Sequence, residues 1–382
     1  MLYVVGKSKL ANIALIACKL GENWVRLKRA SLYRKGKLRK GRDVPDEQTR
    51  IPLPPDVNTA WKLPADLSKP LTPFQEEFVL SVCPKGTRIV LARLHRTVQL
   101  PCPIWVDLIL PNGEAYKLIL RMNYVLGGVE KEAAILPLLA RAGLPVPTVL
   151  AGPIIDPTQP EAGAMTILNV LPGRDFLEWG LTATPEQIQW AIGLILQGID
   201  LMHSATEFLQ RTPAAQQLLR RTPSSELQAI LAKGGPWLSE PLFKQAIEAL
   251  EPVVSRIETP LAFSNGDYNQ GNFLFEGERL TGIIDISSPC FEDPHISMAM
   301  YWIYCWDPYD QAGIVERYLE RQHLTFADFA PRLALRCLRT LQENLPVRGG
   351  EDVRDEWDFE TLADYRQRVL GLLKRAMDAM RP

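Results

Sequence analysis

Hydrophobic and polar positions follow two different rhythms along the chain. Between residues 88 and 170 the apolar residues come in short runs: Arg88-Ile89-Val90-Leu91-Ala92, then Ile104-Trp105-Val106-Asp107-Leu108-Ile109-Leu110, then Ala115 to Arg121, then Met165 to Val170. Runs of this length, bounded by Gly, Pro and Asn, predict strands. Pro111-Asn112-Gly113 separates the second from the third, and Asn-Gly accepts the positive φ of a tight hairpin. One helix is predicted within this stretch, over residues 129–143, where Ala133, Ile135, Leu136, Leu139 and Ala142 share a face and Gly143 ends it. Beyond Leu171-Pro172-Gly173 the period becomes helical, over 185–203, 225–233, 240–257, 295–306, 310–321, 326–343 and 358–380. A strand-rich island interrupts these helices: Leu261-Ala262-Phe263, Asn272-Phe273-Leu274-Phe275, a turn at Glu276-Gly277-Glu278, and Leu280 to Ile286. A strand-rich front and a helical rear with an embedded hairpin predict an α+β, two-lobed architecture. Ligands of such folds often sit between the lobes.

Composition narrows the class. With 9 Trp, 12 Phe and 10 Tyr in 382 residues, the chain has ample material for packed cores, which excludes whole-chain disorder. No run approaches the 18 or so apolar residues of a spanning helix, and no repeat recurs. The net charge of −1 hides an asymmetry: residues 1–50 hold 13 Lys or Arg against 4 Asp or Glu, leaving 30 basic and 40 acidic residues elsewhere. Arg34-Lys35-Gly36-Lys37-Leu38-Arg39-Lys40-Gly41-Arg42 is the densest basic run, but aromatic residues are sparse around it. A solvated arm, or one that docks on the acidic remainder, is therefore expected rather than a nucleic-acid site. Residues 43–75 carry Pro45, Pro52, Pro54, Pro55, Pro64, Pro70 and Pro73 and predict an extended linker. Cysteines at 18, 83, 102, 290, 305 and 337 show no C-x-x-C spacing, so scattered thiols of a reducing cytoplasm are expected. Lys7, Lys9 and Leu10 to Cys18 outline a lipoprotein signal, yet the apolar core is short and broken by Asn12. Residues 9–20 read instead as an amphipathic helix ending at Gly21, and the protein as cytoplasmic.

The candidate chemistry lies in the island. Asn265-Gly266-Asp267-Tyr268-Asn269-Gln270-Gly271-Asn272-Phe273-Leu274-Phe275 places Asp267 and Asn272 five residues apart on one polar loop. Asp285 follows thirteen residues after Asn272, at the end of the returning strand. A hairpin of this length returns Asp285 towards Asn272, so a carboxylate and an amide oxygen can share a hard cation, while Asp267 faces an incoming hydroxyl. This block resembles the catalytic core of the aminoglycoside phosphotransferase and choline kinase family, relatives of the protein kinases. That family's pattern is His-Gly-Asp, four residues, Asn, then an apolar strand pair ending in Ile-Asp. Both intervals match here, and Asp293-Pro294 falls where the family has Asp-Pro.

Upstream landmarks extend the likeness over about 85–305. Leu118-Ile119-Leu120-Arg121-Met122-Asn123 resembles the strand whose basic residue holds nucleotide phosphates, which nominates Arg121, with Lys117 on the same strand face as competitor. Val129-Glu130-Lys131-Glu132 resembles the helix whose Glu pairs with it, nominating Glu132 over a merely solvated surface position. Leu144-Pro145-Val146-Pro147 matches the family's connector, and Met165 to Gly173 its strand and hinge, where the backbone around Leu168 and Val170 meets the nucleobase. The resemblance implies a protein-kinase-like fold: a basic extension and linker over 1–75, a nucleotide-binding N-lobe over 76–172, and a helical C-lobe over 173–382 carrying the catalytic hairpin 261–286. It further implies a phosphotransferase using ATP or GTP with Mg2+ on a small-molecule hydroxyl. Asp267 would be the catalytic base, and Asn272 and Asp285 the metal ligands. Departures are also visible. Asn265 replaces the family's His, His295-Ile296-Ser297-Met298-Ala299 lacks its further Asp, and residues 94–103 contain no glycine to admit phosphates. The alternative is a kinase-fold protein without efficient catalysis, engaging a protein partner or itself through residues 1–75. His203 reads as a packed histidine, and Trp302, Tyr304 and Trp306 as core. Residues 351–360, acidic with Trp357 and Phe359, read as a solvated loop and helix start, with a wall for a cationic amine as the alternative.

Overall fold

The structure, a computed structural model, describes residues 68–94, 103–122, 127–160, 163–344, 347–348, 351–352 and 359–381. The basic arm, the amphipathic helix at 9–20, most of the linker and the glycine-free loop thus lie outside the described residues, as does 353–358 of the acidic run. Five antiparallel strands form the front sheet: β1 (Arg88–Leu94), β2 (Ile104–Ile109), β3 (Ala115–Met122), β4 (Val149–Ile155) and β5 (Ala164–Asn169), in the order β1-β2-β3-β5-β4. The expected β2–β3 hairpin pairs Ile104 with Leu120 and Ile109 with Ala115, and Gly113 takes φ 85° in its turn. Helix α1 (Pro73–Ser81) backs the sheet, with Phe78 and Val79 packed among Ile104, Val106, Leu118, Leu120 and Ile167. Pro73 therefore opens a helix rather than closing the linker. Thr72 caps it: its hydroxyl accepts from Gln75 N, and the Gln75 side chain accepts from Thr72 N. β4 was not legible, because Gly152-Pro153 interrupts its run; Gly152 takes φ 94°, and a Cβ there would lie 2.7 Å from the Met165 carbonyl.

Helix α2 (Gly128–Arg141) joins the two halves, since its Ile135, Leu136 and Leu139 belong to the large rear core. After β6 (Arg174–Asp175) and the short α3 (Phe176–Gly180), the rear is built on α4 (Pro185–Ser204). The α4 residues Ile188, Ile192, Ile195, Ile199 and Met202 recur at helical spacing and are buried. Gly198 lets the chain at Phe273 approach: a Cβ there would lie 2.7 Å from the Phe273 ring. Two short helical segments (Thr206–Gln210, Pro213–Gln216) and β7 (Leu219–Arg221) lead to α5 (Pro223–Lys233) and α6 (Pro241–Val254). The island supplies β8 (Ala262–Ser264), β9 (Phe273–Glu276), β10 (Arg279–Ile283) and β11 (Cys290–Glu292), arranged as β10-β9-β6 and β7-β11-β8. The returning strand stops at Ile283 rather than Ile286, because Asp285 adopts φ 61°, which no ladder accommodates. The helix expected over 295–306 is a tight turn followed by α7 (Ala299–Tyr304), ended by Cys305 at φ 51°. Helices α8 (Ile314–Arg321), α9 (Phe326–Asn344) and α10 (Phe359–Met380) complete the rear. Trp302, Tyr304 and Trp306 are core residues there.

Two buried polar clusters hold the island against these helices. Asp293, fully buried, accepts from Arg332 Nε and Nη2 at 2.9–3.2 Å and from the His295 backbone N at 3.0 Å. Arg332 also donates to Thr259 Oγ1 at 2.6 Å. His203 Nε2 lies 2.8 Å from the Tyr268 hydroxyl, and the Tyr301 hydroxyl donates to the Tyr268 carbonyl at 2.9 Å. Burial, then the neighbouring His295 imidazole, push the His203 pKa down from 6.5 to about 4, against an opposing pull from Asp293. His203 is thus held neutral near pH 7, packed against Tyr268.

Removing one member of a buried pair strands the other, at a cost of about 3–5 kcal/mol. Asp293→Ala is expected to lose that much in urea unfolding, and adding Arg332→Met to recover part of it. A loss below about 1 kcal/mol would show that the pair does not anchor the island. His203 gives a pH signature. The unfolded imidazole protonates near 6.5 and the folded one only near 4, so stability held above 6.5 is lost as pH falls through that window. His203→Gln is expected to flatten this slope in denaturation series run from pH 7 to 4. Only part of it will remain, from His295, which burial shifts in the same direction.

Candidate active site

The loop between β8 and β9 is shaped by its own side chains. Ser264 Oγ accepts from Gly266 N at 2.9 Å, Asn265 Oδ1 from Asp267 N at 3.1 Å, Asp267 Oδ1 from Asn269 N at 3.2 Å, and Asn269 Oδ1 from Gly271 N at 2.8 Å. Each side chain thus caps the backbone two residues on, as short Asx side chains do. Asn265, in the place of the family's His, supports the loop by such a bond. Gly266 is required: φ is 76°, and a Cβ would meet the Ser288 carbonyl at 2.9 Å. Asp267 also lies near the buried Tyr301, whose phenol is pushed well up by burial, then by the neighbouring Tyr309 phenol and the Asp267 carboxylate. Asn272 Nδ2 donates to the Asp267 carbonyl at 2.9 Å, which ties the two residues together and fixes which end of the amide is the oxygen. The Asn272 carbonyl accepts from Ile284 N at 2.9 Å, bringing Asn272 alongside the turn that carries Asp285.

The front sheet reaches the same turn through one side chain. Arg121 on β3 donates from Nε to Glu132 Oε2 at 2.9 Å and from Nη2 to Asp285 Oδ1 at 2.6 Å. Glu132 on α2 is 4% exposed, and its other oxygen accepts from Ile286 N at 3.2 Å. It is therefore a buried hub between helix, sheet and turn, and no solvated surface residue. Ser287 Oγ donates to Asp285 Oδ1 at 2.8 Å, a contact that spacing alone did not single out. A non-glycine residue at positive φ costs about 1–3 kcal/mol. At Asp285 the flanking bonds from Arg121, Ser287 and Ile286 hold that conformation in place.

Lys117, four residues before Arg121 on the same strand, lies 3.7 Å from Asp107 with its side chain about half exposed, so Arg121 is the cation that meets Glu132. Leu168 is buried on β5 opposite Ile119, the neighbouring position on the Arg121 strand face, while Val170 follows the strand and is half-buried. Beneath this edge, half-buried Leu171 and Leu274 close over Gly282, where a Cβ would lie 2.9 and 2.8 Å from their methyls. Asp267, Asn272, Asp285, Arg121 and Glu132 are therefore linked through these hydrogen bonds, while Lys117 stands apart. The Asn272 amide oxygen and the Asp285 carboxylate are hard donors of the kind magnesium takes, on adjoining backbone, so this donor set fits that ion. A second acidic group, Cys305, Asp307 and Asp310, is already met by a protein cation, since Arg368 contacts the Cys305 sulfur and donates to Asp310 Oδ2 at 3.1 Å.

This arrangement has counterparts among solved structures. Aminoglycoside phosphotransferase APH(4)-Ia superposes with a TM-score of 0.54 at 17% identity, covering 81% of this chain and 99% of its own. A thermostable mutant of it, in a ternary complex with ADP and hygromycin B, gives 0.54 and 17% over 78% and 97%. ADP-bound aminoglycoside phosphotransferase APH(2'')-Ib gives 0.51 and 13% over 80% and 99%. At such identities the likeness establishes the two-lobed kinase-like fold. No curated protein sequence matches the chain. A family model does, over residues 117–335, which include Arg121, Glu132, the β8–β9 loop, Asp285 and Asp293: the chain belongs to the phosphotransferase enzyme family.

Proposed function

We propose that this protein transfers the terminal phosphoryl group of ATP or GTP to a hydroxyl of a small molecule, of aminoglycoside, choline or sugar type. The observation that carries the reading is the Arg121 guanidinium bonded at once to Glu132 and to Asp285, beside a loop that ties Asp267 to Asn272. Family membership and a fold shared with nucleotide-bound phosphotransferases support it. Asp267 orients the acceptor hydroxyl and takes its proton as the new O–P bond forms and the bond to the leaving nucleoside diphosphate breaks. Asn272 and Asp285 hold magnesium, which neutralises phosphate charge when bound. Arg121 clamps the phosphates and Glu132 positions it, while Lys117, the competing candidate on the same strand, is paired with Asp107. The backbone beside Leu168 and Val170 meets the nucleobase. In this reading residues 76–172 bind the nucleotide, residues 173–382 bring the acceptor and catalytic hairpin, and residues 1–75 are an appended arm. The glycine-free stretch 94–103 favours a second reading, a binding protein of the same fold that engages a partner through that arm.

Thermal melting separates the two. Millimolar ATP with magnesium is expected to raise Tm in proportion to RT ln(1 + [L]/Kd), and no rise would favour the binding protein. Within the enzyme reading, Asp267→Ala is expected to lower ADP release, scored over a panel of hydroxylated amines and sugars, by about 10²–10⁴-fold while keeping the Tm rise. Asp285→Ala is expected to lose the Tm rise itself. Parent-like turnover in both variants places the chemistry elsewhere.

A further inference from the structure

We propose that the Trp105 indole packs on the nucleobase, so that a strand side chain supplies nucleotide affinity that the glycine-free run 94–103 does not. The inference rests on the phosphotransferase reading and names a residue that the reading leaves unused. Strand β2 alternates: Ile104, Val106 and Leu108 are buried beneath α1, so Trp105, Asp107 and Ile109 point to the opposite face. Ile119 and Arg121 point the same way on β3, since Leu118, Leu120 and Met122 fill the α1 side. Register then lines up one row across that face. Arg93 stands opposite Trp105, Trp105 opposite Ile119, and Ile119 opposite Leu168. The row lies one side-chain step, about 7 Å, from Arg121 along β3. A nucleotide with its base against the backbone at Leu168 and its phosphates at Arg121 therefore lies across Ile119 and reaches the indole.

Trp105 is suited to that contact. It is half-buried and joins neither of the two hydrophobic cores of the described residues, whereas Ile119 packs against the rear one. So large an apolar ring outside both cores is accounted for when a flat ligand completes its packing. The indole is also held from the side away from Ile119. Arg93 Cζ lies 5.8 Å from the ring centroid, and Arg93 Nε lies 3.8 Å from Asp107 Oδ2, two residues along β2. Lys117 Nζ, 3.7 Å from Asp107 Oδ1, holds the same carboxylate. The run 94–103 adds a complementary argument. Its side chains deny phosphates the close backbone approach that glycine allows. Packing a base on an aromatic ring needs no such approach, and it tolerates any purine because every base has a π-face. The same indole thus serves ATP and GTP.

The test is calorimetric titration of the full chain, with magnesium, against ATP, adenosine and inorganic tripolyphosphate. Trp105→Leu is expected to weaken ATP and adenosine alike by about 5–140-fold, the worth of one base stacked on one aromatic ring, and to leave tripolyphosphate unchanged. Parent-like affinity for ATP and adenosine overturns the proposal. An equal loss for tripolyphosphate does so too, because it marks Trp105 as a support of the sheet alone. Trp105→Phe keeps a ring and decides the matter if Trp105→Leu does not fold. It is expected to retain most of the adenosine affinity while losing the adenosine-induced quenching of indole fluorescence that wild type shows. The same quenching in both proteins places the base away from Trp105. Wild type that binds ATP beside a parent-like Trp105→Leu sinks this inference alone, whereas wild type that binds neither ATP nor adenosine sinks the phosphotransferase reading with it.

Discussion

One guanidinium shared between two carboxylates ties the front sheet, the joining helix and the island together. Arg121 comes from the middle of a sheet whose register is set by hairpin geometry, Glu132 from a helix rooted in the rear core, and Asp285 from a turn held at positive φ. Each arrives from a rigid element, so little side-chain freedom is lost in forming the pair, and burial shields it from salt. A lone buried ion pair is seldom a net gain over apolar packing, but a broken one is expensive. This one is retained at the junction of three elements, where an apolar substitute could not specify the orientation of Asp285. The Glu132 bond to Ile286 N makes the point: the same carboxylate that fixes the arginine fixes the backbone on which Asp285 sits.

Much of this was legible before any coordinates because it depends on local rules. The β2–β3 hairpin follows from Asn112-Gly113, and the capped start of α4 from Thr184-Pro185-Glu186. The intervals from Asp267 to Asn272 and Asp285 follow from a loop and a two-stranded return of fixed length. Elements without a periodic signature were missed. β4 is broken by Gly152-Pro153, and β7 and β11 are three residues each, formed where β11 pairs with β7 on one side and β8 on the other. Such strands are products of tertiary contact, which propensity cannot anticipate.

The site divides along the same line. Asp267, Asn272 and Asp285 lie within one short stretch of chain, so their meeting is a matter of spacing. The choice between Arg121 and Lys117 is not, because both share a strand face by period-two alternation. What separates them is the position of α2, which presents Glu132 to the buried end of β3 and leaves Lys117 to Asp107 near the exposed end. Ser287 is harder still: a serine two residues past an aspartate is unremarkable until the left-handed turn at Asp285 folds its hydroxyl back onto the carboxylate.

The departures from the family pattern follow from what each position does. Asn265 needs only to accept one backbone hydrogen bond, which an amide oxygen does as well as an imidazole nitrogen, and the bond to Asp267 N is made. Beyond Asp293-Pro294 the missing aspartate leaves His295, which fills the space by meeting the Tyr318 hydroxyl at 2.9 Å, while Asp293 is anchored from α9 by Arg332. Both replacements sit where the requirement is a hydrogen bond of the right direction, and a different residue type can meet it. Charge is present where an arginine meets two carboxylates and where an aspartate heads the loop. The charged contacts of Arg121 with Glu132 and Asp285 thus stand beside a loop and a helix start whose hydrogen bonds are made by other residue types.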